Sequence, residues 1–211
     1  MKKITCALLL AALAGCSNLQ AKNDGWVDLF DGKTVEGWTN PYARGEITVV
    51  DGEIHLKADK KFFLCTEKKY ADFILEVELK MPEGKANSGV MFRCHVEPNK
   101  VYGYQAECDT SARAWSGGLF DEARRGWLNP LKPNDSPSGN AFREKTKGSF
   151  KRHDWNKYKI KAEGDRLQIW VNDVLCTDYI DDMDAEGYIG IQHHGEDGQI
   201  YKFRNIRVME L

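Results

Sequence analysis

The sequence predicts an all-β fold: a single domain built as a two-sheet antiparallel β-sandwich. Three observations carry this. Many short segments alternate apolar and polar side chains with the period of two that a half-buried strand requires. Two-residue turn signals separate several of them. No stretch holds a helical period over ten residues, so roughly a dozen strands must cover one another, and two packed sheets are the solution open to them.

The first sixteen residues stand apart. Lys2 and Lys3 precede an apolar run, Ile4–Leu13, too short to span a membrane. Residues 1–15 therefore read as an export signal and 16–24 as a polar tether. Leu13-Ala14-Gly15-Cys16 resembles the lipobox of bacterial lipoproteins, which implies lipid on Cys16, an exported protein and a membrane partner reached through that anchor. The folded domain is expected over 25–211.

Within it, Asp51-Gly52 separates Glu46–Val50 from Glu53–Leu56, and Asn172-Asp173 separates Arg166–Val171 from Val174–Ile180. Both pairs suit hairpin turns. Asp72–Met81 sets Phe73, Leu75, Val77 and Leu79 against Glu76, Glu78 and Lys80. Trp155–Ala162, Gly187–His194 and Tyr201–Glu210 alternate similarly. Trp170 fits either a sugar platform or a covered sheet face. The segment Asp121–Asp154 has no periodicity and is expected to be a long functional loop whose first third walls a site.

Composition bounds the partners. A formal net charge of −2 offers no basic excess for phosphates, which argues against nucleic acid. Four cysteines remain in the domain, Cys65, Cys94, Cys108 and Cys176, at spacings that match no zinc pattern, and they are expected as free thiols.

The chemistry gathers between Asn87 and Leu128. Alternation places Val90, Phe92 and Cys94 on one face of the first strand and Met91, Arg93 and His95 on the other. In the next strand Gln105, Glu107 and Asp109 oppose Tyr104, Ala106 and Cys108. Paired strands would bring Arg93 against Glu107 and Asp109. Trp115 and the cluster Asp121, Glu122, Arg124, Arg125 and Trp127 follow. Tryptophans among polar groups of both signs suit a sugar, although any half-solvated sheet carries polar residues on its outer face.

Leu29-Phe30-Asp31-Gly32-Lys33-Thr34 with Gly37-Trp38, Asn87-Ser88-Gly89-Val90, Gly103-Tyr104-Gln105-Ala106-Glu107 and Phe203-Arg204-Asn205-Ile206 together resemble the 3-keto-disaccharide hydrolase domain family. The resemblance implies a concanavalin-like jelly roll and action on glycosides whose carbon 3 is a ketone. Gln192-His193-His194-Gly195 stands where many members have Gln-Asp-His-Gly, so His194 keeps its place.

Such a ketone acidifies the proton on carbon 2, so a base can remove it while the glycosidic oxygen leaves carbon 1; water then adds. The reaction needs a base, an acid for the leaving group and a positive charge for the enolate. Glu107 or His194 is the candidate base, Arg93 the enolate holder and Asp109 an orienting group. Gln105, Trp115, Asp121, Glu122, Arg124, Arg125, Trp127 and Gln192 are candidate substrate contacts. The sequence names no cofactor; a divalent cation at the ketone oxygen, held by the carboxylates, would do the work given to Arg93.

A conventional glucanase is the weaker alternative. Glu107-Cys108-Asp109 supplies two carboxylates, but Ser111 and Ala112 stand where a third would fall. A non-catalytic carbohydrate-binding module is the other, since the same fold serves lectins.

Overall fold

The computed structural model describes residues 25–84, 86–132 and 136–211. The export signal, the tether and Cys16 lie outside them. In chain order the strands are β1 (Trp26–Asp28), β2 (Trp38–Thr39), β3 (Glu46–Val50), β4 (Glu53–Lys57), β5 (Phe62–Tyr70), β6 (Phe73–Lys80), β7 (Asn87–Glu97), β8 (Lys100–Asp109), β9 (Leu119–Glu122) and β10 (Gly126–Asn129). A helix, α1 (Pro137–Lys145), precedes β11 (Asn156–Glu163), β12 (Arg166–Val171), β13 (Val174–Ile180), β14 (Gly187–His193) and β15 (Ile200–Glu210).

These strands form the expected two-sheet antiparallel β-sandwich. One sheet runs β13-β12-β11-β6-β15-β4-β3, with β1 also paired to β15; the other runs β10-β9-β8-β7-β14-β5-β2. Both expected hairpins form. Positive φ at Asp51 (52°) and Gly52 (78°), and at Asn172 (47°) and Asp173 (68°), gives the left-handed turn that matches strand twist.

The alternating residues meet between the sheets. Leu75, Val77, Ile160 and Ile169 face Val90, Phe92, Tyr104, Ala106 and Ile191 in one continuous apolar core. The four cysteines are buried and free. Trp170 is half-buried under Lys159, whose Nζ stands 4.2 Å from the ring centroid, so it belongs to a covered sheet face.

β5 carries no alternation at its start because Phe62, Phe63, Leu64 and Cys65 are buried on both faces. Two expectations are corrected. The segment 121–154 is not one loop. It holds β10 and the nine-residue α1, whose N-terminus Ser136 caps through Oγ to the Gly139 N–H (3.1 Å). That helix buries only Gly139 and Phe142, too little for a periodic signal.

The second correction concerns β7. The register slips between Met91 and His95, and Arg93 takes φ +45°. Such a bulge inserts one residue and resets the alternation. Val90 and Phe92 therefore enter the main core, but Cys94 joins Met91, Phe63, Cys65 and Val101 in a second cluster.

Candidate active site

The bulge decides the fate of Arg93. Its side chain turns into the end of the sandwich closed by the β5–β6 and β11–β12 turns. There it donates to the carbonyls of Ala71 (2.7 Å), Gly164 (2.7 Å) and Asp184 (3.2 Å) and pairs with Asp72 (2.8 Å). At 1% exposure it ties turns together. The expectation that Arg93 faces Glu107 is corrected: the guanidinium serves the scaffold.

Glu107 does what alternation predicts. Gly89 is its partner across β7, and Gln105 follows the same face of β8. A glycine is required there, since a Cβ at position 89 would stand 2.4 Å from the Gln105 side chain. Gln105 donates from Nε2 to Glu107 Oε2 (3.0 Å), while its own Oε1 accepts from Gln192 (3.1 Å). Asn87 donates to Glu107 Oε1 at 2.5 Å, and Arg113 Nη2 donates to the same oxygen at 3.0 Å.

Glu107 is 3% exposed, and burial pushes its carboxyl up to about 7 against the pull of Asn87 and Arg113, with the Asp109 charge adding to the rise. A carboxyl that ionises near neutral pH suits a general base. Asp109 accepts from Arg113 Nε (2.8 Å) and from the Ser111 amide and hydroxyl (2.9 Å each). The donors around both carboxylates are amide, hydroxyl and guanidinium hydrogens. Among the described residues no group of three His, Cys, Asp or Glu side chains converges that could hold a metal ion.

Above Glu107 opens a cleft of about 310 Å³. Of the expected residues, Gln105, Glu107, Glu122, Trp127 and His194 line it. His194 stands at the rim, its Nδ1 3.0 Å from Glu196 Oε1. Lys61, Asn87, Arg113, Phe120, Ala123 and Lys132 complete the lining. Lys61 forms an ion pair with Glu122, joining the chain just before β5 to the end of β9 although β8, β7 and β14 lie between those strands. Arg113 lies 4.7 Å from the Trp127 ring centroid and 5.2 Å from that of Trp115.

The remaining expected contacts sit elsewhere. Trp115 is fully buried beneath Trp127, ring centroids 4.6 Å apart, and is a core residue. Gln192 is buried behind Gln105, with its Oε1 lacking a partner among the described residues. Asp121 and Glu122 are neighbours on β9 and point to opposite faces. Asp121 turns away from the cleft and is buried under Arg124 and Arg125, which continue to Asp184 and Asp181. Burial opposes the ionisation of Asp184, yet Arg124 and His95 hold its carboxyl below the usual range. The dense charged cluster is therefore split between the two faces of the β9–β10 hairpin, with Glu122 in the cleft and Asp121, Arg124 and Arg125 in a structural network. Next to His194, His193 is buried and stacked on Phe62 at 5.7 Å, with the Gly195 amide donating to its Nδ1 (3.0 Å).

Arg113, Asn87 and Lys61 escaped the sequence reading. Arg113 follows Asp109 by four residues outside any strand, and Lys61 is distant in sequence. Only Asn87, at the head of a recognised strand, carried a signal of its own.

The fold has solved relatives. The carbohydrate-binding module CBM66 from Bacillus subtilis is 20% identical, with a TM-score of 0.56 over 82% of this chain and 96% of its own. A Parabacteroides distasonis protein provisionally named a glycosyl hydrolase is 16% identical, with a TM-score of 0.60 over 89% and 94%. The lumenal domain of VIP36, in a form bound to calcium and Man3GlcNAc, is 12% identical with a TM-score of 0.56 over 90% of each chain. At these identities the likeness speaks for the fold. No curated protein matches the chain in sequence. The 3-keto-alpha-glucoside-1,2-lyase-like domain matches residues 25–209, nearly the whole described domain, and the chain belongs to that family.

Proposed function

We propose that the protein cleaves 3-keto-glycosides by proton abstraction, with Glu107 as the base. The observation that carries this is the placement of one buried carboxyl, ionising near 7, at the floor of a cleft wide enough for a sugar ring. With the carbon 3 ketone in the cleft, Glu107 takes the proton from carbon 2. The electrons form the carbon 1–carbon 2 double bond, and the glycosidic oxygen leaves with a proton from an acid at the rim, where His194 stands. Water then adds across the double bond. Arg93 is too far into the scaffold to meet the enolate. That charge falls to Lys61, Arg113 or Lys132, all of which line the cleft.

Membership of the 3-keto-alpha-glucoside-1,2-lyase-like family supports the substrate. A carbohydrate-binding module of similar fold favours a second reading, binding without chemistry. A lectin has no use for a carboxyl ionising near 7, and Glu107 therefore favours the enzyme. Turnover of a 3-keto-glycoside in heavy water tests it. Deuterium should enter the product at carbon 2 and the unoxidised glycoside should be inert. Cleavage of the unoxidised glycoside without deuterium would overturn the proposal.

A further inference from the structure

β14 ends at His193, and residues 194–199 turn the chain into β15. The turn is braced from beneath. The Gly195 amide donates to His193 Nδ1 (3.0 Å), so the proton of that buried ring lies on Nε2, which donates to the Gln199 carbonyl (3.2 Å). The Gln199 amide donates back to the Glu196 carbonyl (3.2 Å).

Two contacts then converge on the Glu196 side chain. Its Oε1 stands 3.0 Å from His194 Nδ1, and its Oε2 accepts from the Tyr201 hydroxyl. Tyr201 is fully buried. Burial, with the carboxylate beside it, pushes that hydroxyl up, so it stays protonated and donates. One oxygen of Glu196 is therefore anchored to the core while the other meets the histidine at the cleft rim. The His194 side chain is 46% exposed, and this contact fixes its ring.

We infer that Glu196 is the positioning residue for proton donation by His194. The inference rests on the proposed elimination at Glu107. An imidazole has two nitrogens, and the partner of one decides which of them does the chemistry. A carboxylate at Nδ1 keeps a proton there and leaves Nε2 to the cleft that His194 lines. As the bond from carbon 1 breaks, its electrons stay on the glycosidic oxygen, which takes the Nε2 proton. The ring left behind is the Nδ1–H tautomer, the form that donates to Glu196, and solvent then restores the proton on Nε2.

The test is the dependence on leaving group. Methyl 3-keto-glucoside needs a proton on its departing oxygen, whereas the para-nitrophenyl glycoside releases a phenolate that needs none. In Glu196→Ala, kcat/KM for the methyl glycoside should fall about tenfold or more, and for the nitrophenyl glycoside by less than about threefold, because general acid catalysis is lost only where it is needed. Tyr201→Phe, which keeps the buried ring, should show the same imbalance to a smaller extent. Equal losses on the two substrates, or none on either, would overturn the assignment. Should the parent cleave neither substrate, the elimination proposed above has failed, and Glu196 is judged by nitrogen-15 NMR of the His194 ring in alkaline buffer. The Nδ1–H tautomer in the parent and its loss in Glu196→Ala support the positioning role. The same tautomer in both, or the Nε2–H form in the parent, overturns it.

Discussion

Arg113 Nη2 stands 3.0 Å from Glu107 Oε1, and the same guanidinium reaches Asp109 Oδ2 through Nε at 2.8 Å. One cation shared by two buried carboxylates moderates the cost of burying both. It holds Glu107 near neutral pH instead of letting burial drive it further up.

The first prediction concerns pH. Glu107 acts as a base only when ionised, so kcat/KM should rise with pH and level off above an acid limb near 7. Glu107→Gln should lose about a hundred- to ten-thousand-fold in rate. Steady-state profiles on a 3-keto-glycoside check both, and an acid limb near 4 would contradict the assignment.

Removing the shared cation should move that limb. In Arg113→Ala the carboxylate loses a favourable charge, so the limb shifts upward, and Arg113→Lys should bring it part of the way back. A uniform loss of rate with the limb in place would mean that Arg113 only shapes the pocket.

The same carboxyl links stability to pH. Its folded value is raised from 4.5 to about 7. The stabilisation of the neutral form is thus fully present below about 4.5 and is lost as pH rises through about 7, a change on the order of 3 kcal/mol. Denaturant unfolding of Glu107→Gln should show a flatter dependence between pH 5 and 8 than the parent.

Arg93 should prove structural. Arg93→Met leaves three carbonyls without the guanidinium and takes it from Asp72, which keeps the Gly164 amide. A loss of about 3 kcal/mol or more is expected. The specific activity of the folded fraction should remain near that of the parent. A collapse of kcat with stability intact would restore Arg93 to the site.

Gly89→Ala tests the floor of the cleft. The added methyl meets Gln105 and must push it from Glu107 Oε2. Activity should fall by a larger factor than any loss of folded protein, measured by comparing kcat/KM with melting temperature.

The sandwich was legible in the sequence, because alternation, two-residue turns and the lack of a helical period are local properties that sheet packing leaves in place. The sequence also placed Gln105 and Glu107 on one outer face, since β8 runs without interruption. The tertiary structure decided what composition left open. A bulge in β7 sent Arg93 to the scaffold, ion pairs with Arg124 and Arg125 buried Asp121 away from the cleft, and burial turned Trp115 into core. Sheet order brought Lys61 to Glu122 across three strands. Only a loop folding back over β8 could supply Arg113, because no local pattern encodes which distant cation will meet a buried carboxylate. The burial that raises Glu107 is likewise a property of everything packed around it.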